Sequence, residues 1–60
     1  MSVYYLIYKN ENELKKMLQK EKENKTPADF LIWIERQDRQ FYVEGKIEPL
    51  SSIELKNLVL

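Results

Sequence analysis

The chain has 60 residues, with no cysteine, no histidine and a single glycine. That inventory leaves out a disulfide framework, a thiol or imidazole nucleophile, an ordinary zinc site and a glycine-rich phosphate loop. Ten basic residues balance ten acidic ones, which argues against a grip on nucleic-acid backbone driven by excess positive charge.

The first predicted element is a strand over Val3 to Lys9, because "SVYYLIYK" is rich in aromatic and β-branched residues and runs into charge and asparagine. The run is too short for a signal peptide or a transmembrane segment, so the expectation is a cytoplasmic protein without a membrane contact. A helix follows from near Glu11. Asn10 is a suitable N-cap, and Glu13 stands three residues later. Its apolar positions Leu14, Met17 and Leu18 form a thin stripe, with Glu11–Lys15 and Glu21–Lys25 as supporting four-residue pairs. Thr26-Pro27 is read as the stop.

"FLIWIERQDRQFYVEGKIEPL", Phe30 to Leu50, is read as a β-hairpin with Asp38 and Arg39 at the turn. That register opposes Ile34 to Val43, Ile32 to Gly45 and Phe30 to Ile47 on one face, and Leu31 and Trp33 to Lys46 and Glu44 on the other, with Glu35 facing Tyr42. Gly45, inside a strand pattern, is assigned to close packing. The last element is a helix after Ser51, which with Glu54 makes a capping box, while Leu50 and Leu55 have the spacing of a hydrophobic staple.

The expected fold is therefore one α+β domain over residues 1–60, in the order β-α-β-β-α. Its three-stranded sheet has a hairpin between the second and third strands, and helices pack on it. Phe30, Ile32, Ile34, Phe41, Val43 and Ile47, aligned with Val3, Tyr5 and Ile7, form the inner face. The opposite face then gathers Tyr4, Leu6, Tyr8, Leu31, Trp33 and Tyr42, a surface of the kind that marks an interaction site. Either the last helix crosses over and covers it, or a second molecule does.

No spacing of a catalytic dyad, metal loop or cofactor motif is present in the sequence, and the two serines before the last helix are explained by capping. The expected function is that of a small non-enzymatic protein-binding regulator or inhibitor, homodimeric through the aromatic face or an edge strand. The alternative is a single-stranded nucleic-acid binder that stacks bases on the aromatics and contacts them with Arg36 and Arg39. The richness in lysine, glutamate, asparagine and isoleucine resembles that of small proteins of low-GC bacteria and their phages. Charge is mildly segregated: residues 1–25 carry six lysines against four glutamates, and residues 26–60 carry four basic against six acidic groups. So small a difference decides little.

Overall fold

The computed structural model describes residues 6–60. Its elements are β1 (Leu6–Tyr8), α1 (Glu11–Asn24), α2 (Pro27–Arg36), β2 (Phe41–Val43) and α3 (Ser52–Val59). The strands form a two-stranded parallel sheet with Leu6 opposite Phe41, Ile7 opposite Tyr42 and Tyr8 opposite Val43. Parallel neighbours require a long crossover, and here α1 and α2 together supply it.

The expected three-stranded sheet with its hairpin is overturned, because Phe30–Ile34 lies inside α2. The reason is local. Thr26 accepts a hydrogen bond from the Asp29 N–H at 3.2 Å, so it caps a new helix as well as marking the end of the previous one. Pro27 occupies the first turn, where a missing donor costs nothing, and Asp29 places negative charge near the helix N-terminus. Within α2, Phe30 and Ile34 are one helical turn apart and both are buried, with Trp33 beside them. The five apolar residues thus fill a helical stripe and spill over it at Leu31 and Ile32, which stay exposed.

Of the other expectations, the helix caps hold, while one ion pair and the end of a strand do not. Asn10 caps α1 by accepting from the Glu13 N–H at 3.0 Å, and its thin stripe suffices because Leu14 and Leu18 are both fully buried. Glu21 pairs with Lys25, whereas Glu11 pairs with Lys46 at 3.3 Å rather than with Lys15. Ser51 and Glu54 make the full capping box of α3. Residues 44–51 are a loop, so the strand expected to run on to Ile47 ends at Val43 and leaves Ile47 in solvent.

One core joins all three helices to β2: Leu14 and Leu18 from α1, Phe30 and Ile34 from α2, Phe41 and Val43 from β2, and Leu55 and Val59 from α3. Leu50 completes it from the connecting loop. Polar ties close its rim. Lys22 donates to the Val59 carbonyl at 3.0 Å, the Asp38 carboxylate accepts from the Ser52 N–H at 2.6 Å, and Glu35 is ion-paired with Lys56.

Candidate interaction surfaces

Without a three-stranded sheet, the aromatic face expected from the sequence has no platform. Tyr4 lies outside the described residues, as do Val3 and Tyr5, and Leu6 contributes its backbone to β1. Tyr8 and Trp33 are brought together on Phe41: the Tyr8 ring meets it edge-on at 5.8 Å between centroids, and Trp33 lies at 6.5 Å. Trp33 also stacks on Phe30 at 5.9 Å and carries the Lys25 ammonium 5.1 Å from its ring centre. Both are half-buried members of the core margin. Leu31 is separated from them on the outer side of α2, and Tyr42 points to the sheet face opposite Phe41 and Val43. Partial burial raises the Tyr8 phenol above its ordinary pKa, because the phenolate is poorly solvated there.

Ile7 reverses its expected direction. The alignment with Val3 and Tyr5 placed it inward, yet it is 69 % exposed, and Tyr8 takes the core side of β1. The sheet's period of two forces this choice once Tyr8 opposes Val43.

The two edges of this sheet differ. At β2 the outer edge is closed by the loop: the Leu50 N–H donates to the Phe41 carbonyl at 2.8 Å, and the Arg39 N–H donates to the Leu50 carbonyl at 2.9 Å. At β1, the Tyr8 carbonyl accepts from the Glu44 N–H at 2.8 Å. Backbone direction alternates along a strand, so the Ile7 N–H and C=O point the other way, to an edge with no neighbouring strand among the described residues. That open edge and the exposed Ile7 side chain sit together.

Arg36 closes the last turn of α2, and Arg39 stands in the following turn with a positive φ of 60°. Neither forms an ion pair among the described residues. An open groove of about 900 Å³ along α1 is lined by Tyr8, Met17 and the lysines 15, 16 and 20, together with Glu13 and Glu23. The mixed signs weaken its attraction for a phosphate backbone. Tyr8 and Trp33 are engaged with core rings, which reduces what they offer to an unpaired base.

Sequence reasoning missed a second set of exposed apolar residues, Leu31 and Ile32 on α2, Ile53 on α3 and Leu60 at the α3 C-cap. The signal was present at the last helix, where Ile53 and Leu60 fall on one stripe seven residues apart. For Leu31 and Ile32 it was hidden by the strand reading. No three acidic side chains among the described residues are grouped so as to hold a metal ion, and no helix there is long and apolar enough to cross a membrane. No family model matches the chain, and neither a curated protein nor a solved structure is significantly similar to it.

Proposed function

We propose that the chain is a small non-enzymatic protein-binding module, a regulator or inhibitor that acts by receiving an extended segment of its target along the open edge of β1. The observation that carries this reading is the asymmetry of the sheet. One edge is closed by Leu50, while the other presents the Ile7 backbone pair beside a 69 % exposed side chain. Strand addition draws affinity from the main chain and specificity from alternate side chains, and Ile7 supplies both at one position.

The test is affinity capture from nuclease-treated lysate of the source cells with the wild-type chain and with Ile7→Pro. Proline removes the outward N–H and is tolerated on an edge strand, so the β1–β2 ladder survives. A defined protein retained by the wild type and lost with Ile7→Pro is the expected outcome. Nucleic acid retained with no protein, in a parallel capture from lysate left without nuclease, would overturn the reading in favour of the nucleic-acid alternative.

A further inference from the structure

An α-helix advances about 100° per residue, which sets Ile53 and Lys56 along one stripe of α3, continued by its C-cap Leu60, whose N–H donates to the Lys56 carbonyl, and Leu31, Ile32 and Glu35 on one side of α2. An ion pair between the Lys56 ammonium and the Glu35 carboxylate joins the two stripes, and Glu35 also accepts from the Ser52 hydroxyl at 3.4 Å. Leu31 and Ile32 lie one turn before Glu35, and Ile53 and Leu60 lie one turn to either side of Lys56. Four aliphatic side chains therefore lie one helical turn from one or other member of the bridge, each between 43 % and 68 % exposed. They are four of the six large hydrophobic side chains exposed among the described residues. A helix that faces only water carries charged and polar residues at such positions.

We infer that this α2–α3 face is the contact between two copies of the chain. The inference rests on the reading that the protein works through protein contacts, and it names a second copy as the occupant of a different surface. The patch is self-complementary in charge, as an isologous contact requires. A two-fold axis lying between α2 and α3 sets α2 against the opposite α3. It brings Glu35 of each copy opposite the partner's Lys56, while the four aliphatics close around them. The chain's formal net charge is zero, so two copies meet without long-range repulsion. A domain of this length buries only about 60 % of its unfolded surface, and a second copy is an economical source of further burial.

Sedimentation equilibrium from micromolar to millimolar concentration tests the contact, using the wild type, Glu35→Lys, Lys56→Glu and an equimolar mixture of the two variants. The wild type is expected at twice the chain mass. Each variant alone sets like charges across the axis and weakens association by at least about tenfold, whereas the mixture restores opposite charges in both pairs and recovers a heterodimer. Circular dichroism checks that each variant is folded. If one is not, Ile53→Lys, at an exposed helical position, should give the same loss of association. A single-chain mass for the wild type at every concentration would overturn the inference, as would a dimer indifferent to both charge variants or a mixture that stays monomeric. A monomeric wild type that still captures a target sensitive to Ile7→Pro would leave the edge-strand reading standing. A charge-sensitive dimer with no captured protein would remove that reading and keep this one.

Discussion

The Asp38 carboxylate accepts a 2.6 Å hydrogen bond from the backbone N–H of Ser52, the first residue of α3. That N–H belongs to the group of helix-opening donors that have no partner within the helix, and Ser51 and Glu54 already satisfy their neighbours through the capping box. Asp38 therefore fixes the start of α3 to the turn after α2 and places negative charge at the positive end of the helix. Replacing Asp38 with Ala should lower stability by about 1–2 kcal/mol, read as a lower urea midpoint, and Asp38→Asn should lose less because an acceptor remains. An unchanged midpoint in Asp38→Ala would mean that the turn and α3 are not coupled through this bond.

Ile32 and Ile34 separate the two folds available to the same residues. In a hairpin they share a face and would be equally costly to truncate. In α2 they are 200° apart on the helical wheel, with Ile34 wholly buried and Ile32 56 % exposed. At a protein concentration low enough to keep the chain monomeric, Ile34→Ala should cost about 2–4 kcal/mol, whereas Ile32→Ala should stay within about 0.5 kcal/mol. Chemical denaturation of the two variants measures the difference, and equal losses would restore the hairpin.

The elements the sequence made legible were those with a capping signal and a clean period. Asn10 and Ser51 marked the starts of α1 and α3 correctly because each had its third-residue partner in place. Phe30 to Ile34 failed because five consecutive apolar residues carry no period, so strand and buried helix look alike over that length. Thr26-Pro27 held the missing information, since the same dipeptide that ends one helix caps the next. The parallel pairing was beyond reach once a hairpin had been assumed, and with it went the direction of Ile7 and the common face for Leu31, Trp33 and Tyr42. The edge of β1 remained partly legible, because an edge strand follows from any small open sheet. The α2–α3 surface did not, because it depends on the pairing of Glu35 with Lys56, 21 residues away in sequence.

Gly45 has a cause different from the packing expected of it. Its φ is +92°, and a Cβ added there would meet nothing within 4 Å, so backbone conformation alone selects glycine. Gly45→Ala should cost about 1 kcal/mol despite the open space, and Gly45→Asn should cost less because asparagine enters positive φ more readily. Thermal denaturation of the pair distinguishes the two causes: a packing role would make the larger asparagine the worse substitution.

Tyr8 gives stability an alkaline limit. Its ring packs edge-on against Phe41, and burial raises the phenol's pKa in the folded chain. The unfolded chain, with an ordinary phenol, ionises near pH 10. Below that value both states hold the proton and Tyr8's contribution is fully present. Above it the unfolded state sheds the proton first, so the folded state binds more protons and stability falls with rising pH until the folded pKa is passed. The informative quantity is the difference between wild type and Tyr8→Phe, which keeps the ring and removes the ionisation. The two melting temperatures should run in parallel up to about pH 9 and diverge above about pH 10, with the wild type losing more. Parallel curves throughout would mean that the phenol is as well solvated in the folded chain as in the unfolded one, and that the contact with Phe41 leaves the hydroxyl in water.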